Sequence, residues 1–130
     1  GMLYEERDAF EDAAVEYEAA LAIDSENAFV QKRYGRALGR LGRSAEAEEA
    51  LARAIDLDPG DGGVRNDLAL LLLQRGAVAE AHAQLMEANR LEPGLAAAHR
   101  NLARVLRSTG DEEGAAREEA IVKQLEGGER

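Results

Sequence analysis

The stretch Ala50-Leu-Ala-Arg-Ala-Ile-Asp-Leu-Asp-Pro-Gly60 reads as the end of an amphipathic helix stopped by a proline. Nearly the same phrase returns as Gln84-Leu-Met-Glu-Ala-Asn-Arg-Leu-Glu-Pro-Gly94, and a fainter version, Glu16-Tyr-Glu-Ala-Ala-Leu-Ala-Ile-Asp-Ser-Glu26, precedes both. The step from one to the next is 34 residues. Gly42, Gly76 and Gly110 keep it, as do Ala13, Ala47, Ala81 and Ala115, and Pro59 with Pro93. Two further columns hold large apolar residues: Tyr4, Leu38, Leu72 and Leu106, then Ile23, Leu57, Leu91 and Leu125. A chain with such columns is built from copies of one unit.

Each unit contains two helical patterns broken by the glycine. Val30, Tyr34, Leu38 and Leu41 recur at spacings of three and four, which predicts a helix from about Phe29 to Leu41 with one apolar stripe. Gly42 supplies the freedom to end it. Ala47, Leu51, Ala54 and Leu57 place a stripe on a second helix, and Pro59 prevents its continuation. Neither helix buries its stripe alone, so consecutive hairpins stack and share a core.

The pattern resembles the tetratricopeptide repeat family. That family asks for large, small and large residues on the first helix, then alanine, an aromatic, alanine and proline on the second. Tyr34, Gly35, Leu38, Ala47, Leu51, Ala54 and Pro59 fit it in one unit, and Leu68, Ala69, Leu72, Ala81, Leu85, Ala88 and Pro93 in the next. Leu102, Ala103, Leu106, Gly110 and Ala115 continue it before the pattern departs. An aromatic expected early in each first helix is absent, with Gln31, Arg65 and His99 in its place, so one contact is weaker or differently filled. The resemblance implies an all-α right-handed superhelix, a solenoid of antiparallel helical hairpins with roughly 3.8 units. It covers a single domain over residues 1–130: an incomplete repeat 1–27, repeats 28–61 and 62–95, a cap-like repeat 96–126, and a tail 127–130.

Both ends depart from the pattern. The first unit has only half of a first helix, with Gly1 and Tyr4 in phase, which leaves Phe10, Ala13, Tyr17 and Ala20 as an apolar face with little to cover it. We expect self-association through this incomplete N-terminal repeat, or a longer natural array. The last helix, about Asp111 to Glu126, carries Glu119 where the other units have Tyr17, Leu51 and Leu85, which suits a helix with no further repeat stacked on it. The expectation is a native C-terminus and a non-native N-terminus.

Charge is sorted by helix. The net charge is -10, yet the first helices carry Lys32, Arg33, Arg36 and Arg40, then Arg65 and Arg75 with Asp67, then Arg100, Arg104 and Arg107, while the second helices are acidic. By resemblance the first helices line a concave groove that takes an extended peptide. The candidate groove residues are Lys32, Arg36, Arg40, Asn66, Leu70, Leu73, Arg100, Arg104 and Arg107. Lys32, Arg36 and Arg40 share one helix face opposite Tyr34 and Leu38, and Arg100, Arg104 and Arg107 do the same opposite Leu102 and Leu106. The same arginines also read as a solvated face; the near absence of acids beside them favours a groove for an acidic peptide. A family subset clamps a terminal carboxylate with five residues, of which Lys32 fits one, whereas Arg36, Asp67, Ala97 and Asn101 stand at the other places.

Other chemistry finds no support. There is no cysteine. His82 and His99 lie on different helices and read as surface or groove residues rather than metal ligands. Asp56, Asp58 and Asp61 imitate a calcium loop, but Pro59 and Gly60 interrupt it, so a turn that caps the next helix is expected. Gly35, Gly39 and Gly42 match no phosphate-cradling spacing, and Glu11, Asp12 and Glu16 form a solvated helix face. We expect no enzyme activity, no cofactor, no membrane span and a cytoplasmic protein–protein interaction scaffold with a peptide or protein partner. Two alternatives are a regulatory or targeting segment of a larger enzyme, and nucleic-acid binding through the basic groove, which lacks aromatics for base stacking.

Overall fold

In the computed structural model, which describes residues 4–127, the chain forms helices and, among those residues, no strand. It divides into two compact units, Gly1–Pro59 and Gly60–Arg130. The in-phase Gly1 and the tail at 128–130 lie outside the described residues.

Unit 1 holds α1 (Tyr4–Ile23), α2 (Ala28–Arg40) and α3 (Ser44–Leu57). Asn27 opens α2: its side chain accepts from the Val30 amide at 3.1 Å, satisfying one of the free donors of the first turn. The helix ends at Gly42, whose φ of 79° lies in the left-handed region, and the Arg43 amide turns back to the Leu38 carbonyl at 2.9 Å. α2 and α3 form an antiparallel hairpin whose shared stripe buries Leu38, Ala47, Leu51 and Ala54. Gly35 is required there, because an added Cβ would sit 2.7 Å from Leu51 Cγ. α1 packs on α2 through Ala14, Ala37 and Leu41, with Phe10, Tyr17 and Tyr34 at the margin.

The start of α1 differs from the half-helix and turn expected there. α1 runs unbroken from Tyr4 to Ile23, straight through Asp8, which occupies the place that Gly42, Gly76 and Gly110 hold elsewhere. Those three glycines have positive φ; an aspartate pays a steric cost in that conformation, so the helix continues. Nor is the face of Phe10, Ala13, Tyr17 and Ala20 bare: α2 covers it in part and each is half-buried, while Val15 (69%) and Ile23 (90%) are the large apolar residues exposed on the described part of this helix.

Unit 2 holds α4 (Gly62–Gln74), α5 (Val78–Leu91), α6 (Ala96–Ser108) and α7 (Glu112–Gly127), so Gly127 belongs to the last helix rather than to a tail. α4 pairs with α5 and α6 with α7, and α5 packs on α6. Asp61 caps α4 by accepting from the Val64 amide, which is the capping role expected of that turn, and Asp111 caps α7 through the Gly114 amide. One apolar cluster joins Ala69, Leu72, Ala81, Leu85, Ala88, Ala98, Leu102 and Val105 from three helices. Small residues at the crossings let the backbones approach while the leucines fill the space between.

Candidate functional site

Arg33, Arg36 and Arg40 of α2 and Arg100, Arg104 and Arg107 of α6 are exposed, whereas Arg65 of α4 is half-buried and donates to Gln84 of α5 at 3.1 Å. In unit 1 Lys32 is half-buried, with its Nζ 5.6 Å from the centre of the Phe29 ring, while Arg36 and Arg40 are exposed. Arg33 sits 5.0 Å over the same ring and Arg40 lies 5.4 Å over Phe10, so the cations cover the apolar edges of α2 and α1. Tyr34 faces the other way and donates to Glu18 at 3.2 Å. Burial, then the neighbouring Glu18 carboxylate, holds its phenol above the ordinary value.

In unit 2 the candidate residues fall into two groups. Asn66 is buried on α4, and its Oδ1 accepts from Asn101 Nδ2 of α6 at 2.8 Å. The Asn101 Oδ1 in turn accepts from Arg104 Nη1 at 3.5 Å. Leu70 and Leu73 are half-buried on α4, Leu73 against the apolar cluster. Arg100 and Arg107 form the second group and reach toward α7. Arg100 Nη2 pairs with Glu126 at 2.5 Å. Arg107 donates to both oxygens of Glu119, at 2.9 and 2.7 Å, and to Glu112 at 3.1 Å. These bonds hold its guanidinium above the usual arginine value and the Glu119 carboxyl below the usual carboxylate value.

Sequence reasoning passed over Asn101, noting it only as a mismatch to the carboxylate clamp. Its separation of 35 residues from Asn66, one more than the period, was the available signal: it sets two carboxamides near one another on successive first helices. His99 departs from the surface or groove position expected of it. It is 7% exposed, its Nε2 is 2.7 Å from the Pro93 carbonyl and its Nδ1 2.7 Å from Glu118. Among the described residues no group of three His, Cys, Asp or Glu side chains could hold a metal ion, and no helix is long and apolar enough to cross a membrane.

Comparison with known proteins agrees with the repeat pattern. Residues 40–90 match the family model described as tetratricopeptide repeat. None of the curated protein sequences matches this one. Among solved structures, MamA superposes with a TM-score of 0.84 at 20% identity, over 96% of this chain and 75% of that one. A MamA structure from Desulfovibrio magneticus RS-1, residue 41 to the end, gives 0.83 at 18% identity, over 92% and 67%. YrrB, described as a tetratricopeptide-repeat protein with an unusual peptide-binding site, gives 0.79 at 24% identity, over 94% and 63%. At these identities the likeness concerns the fold, and it supports a helical solenoid.

Proposed function

Because residues 40–90 match the tetratricopeptide-repeat family model and the chain around them has the fold of tetratricopeptide-repeat structures, we propose that the protein is a non-catalytic interaction module. Its first helices take an extended acidic peptide with an apolar residue near its middle. The observation that carries this reading is the single sign of charge on α2 and α6. Lys32, Arg33, Arg36 and Arg40 lie on one helix and Arg100, Arg104 and Arg107 on the other, with no acidic residue on either. A surface that serves solubility alone mixes both signs, whereas a one-signed face attracts and orients a ligand of opposite charge. On α4 the matching residues are Leu70 and Leu73, which suit an uncharged side chain. A peptide-binding site in YrrB is in keeping with the reading.

The test is a peptide-library screen followed by titration of the best ligands. Acidic peptides with an apolar residue are expected. Reversing Arg36 and Arg104 to glutamate weakens them by at least roughly tenfold, since several charge-assisted contacts act together. Helix content stays unchanged, and added salt weakens the wild type more steeply than the double variant. A screen that returns basic, purely apolar or nucleic-acid ligands, indifferent to the charge reversal, overturns the proposal.

A further inference from the structure

We infer that in unit 2 the carboxylate of an acidic ligand is met by Arg104, while Arg100 and Arg107 are committed to holding α7 against α6. This rests on the acidic-peptide reading and divides among three arginines a role that their spacing gave to all of them. Arg107 already has both oxygens of Glu119 at 2.9 and 2.7 Å and Glu112 at 3.1 Å, and Arg100 has Glu126 at 2.5 Å; all three carboxylates belong to α7. A ligand carboxylate at either arginine meets a positive charge already paired and the repulsion of the α7 carboxylate beside it, so it gains less there than at a guanidinium with no carboxylate partner.

Arg104 is held differently. Its Nη1 donates to the neutral Asn101 Oδ1 at 3.5 Å, a long bond, and among the described residues it is the α6 arginine without a carboxylate partner. Asn101 is itself buried and fixed by its 2.8 Å bond to Asn66, so two core carboxamides steady one edge of the guanidinium. The remaining N–H donors of the fork are available to a carboxylate, and a new ion pair there replaces only water. Asn66 acts here as a positioning residue: its carbonyl oxygen accepts from Asn101.

The full chain is titrated with a fluorescein-labelled peptide of alternating glutamate and serine around one leucine, and with the same peptide carrying glutamine for glutamate. Arg104→Gln should weaken the acidic probe roughly tenfold, the loss expected of one hydrogen-bonded ion pair. Arg100→Gln and Arg107→Gln should change affinity less than about twofold, while Arg107→Gln lowers the melting temperature by about 2 °C or more. If Arg107→Gln or Arg100→Gln costs as much affinity as Arg104→Gln, or if Arg104→Gln binds like the wild type, the division of roles is wrong although the acidic-peptide reading stands. If the wild-type chain does not prefer the acidic probe over the glutamine one, that reading fails and this inference falls with it.

Discussion

The place where the repeat pattern asks for an aromatic shows how a polar residue substitutes for one. Gln31 and His99 each reach a carbonyl six residues back, Gln31 Nε2 to Ser25 at 3.2 Å and His99 Nε2 to Pro93 at 2.7 Å. Each side chain is buried and pins the loop that leads into its own helix. His99 adds a second bond, to Glu118 of α7, so one ring ties the preceding loop and the following helix together. Replacing it with leucine keeps the volume but leaves the Pro93 carbonyl and the Glu118 carboxylate without their partner. His99→Leu is therefore expected to cost about 2–3 kcal/mol in urea denaturation. His99→Gln should cost less, since Gln31 shows that a carboxamide makes the loop bond. Equal stability for His99→Leu and wild type would show that these bonds do not contribute. The sequence registered the missing aromatic at this point; the replacement bonds were not legible, because they depend on a partner six residues back in a loop and another 19 residues on.

At the scale of helices, the glycines decide where one element stops. Gly42, Gly76 and Gly110 have φ of 79°, 80° and 91°, and an added Cβ would meet nothing within 4 Å at any of them, so conformation alone demands glycine. Gly42→Ala is expected to destabilise the α2–α3 hairpin by about 1–2 kcal/mol, and Gly42→Asn by less, because asparagine visits the left-handed region more readily. Denaturant titration of the two variants checks the order; an alanine variant as stable as wild type would remove backbone strain as the cause. The hairpins were legible because period, glycine and proline all mark the same boundaries: α2 was expected from about Phe29 to Leu41 and spans Ala28–Arg40. α1 was not, because the 34-residue phase assigns a turn to Asp8 while its chemistry does not. The candidate arginines were identified by helix face, which spacing fixes. The pairing of Arg100 and Arg107 with α7 was not, since it depends on where Glu112, Glu119 and Glu126 reach from another helix.

Across the whole molecule burial is uneven, and the unevenness follows the repeat pattern. Within α1, Ala14 is the buried residue among those whose side chains are described, although the helix is 20 residues long. α4 and α6 each bury six residues in 13. α1 is a continuous helix like the others, so the difference lies in side-chain burial, and burial of an apolar face supplies most of a helix's stability in a folded protein. Its seven acids against one arginine between Glu5 and Glu18 add mutual repulsion, of which the Arg7–Glu11 pair at 3.4 Å relieves little because both side chains are about half exposed. Amide hydrogen exchange should therefore open α1 first, with protection well below that of α4, α5 and α6, whose amides exchange through larger openings. Moderate salt should raise α1 protection by screening the acids, and leave the slowest amides of unit 2 nearly unchanged. Protection of α1 equal to that of α5 in dilute protein would mean that something other than the covering by α2 stabilises this helix. A rise of α1 protection with protein concentration, at constant salt, would identify that support as a second copy of the chain, and Val15 and Ile23, large apolar residues that α1 leaves exposed, are where substitution by serine should abolish the rise.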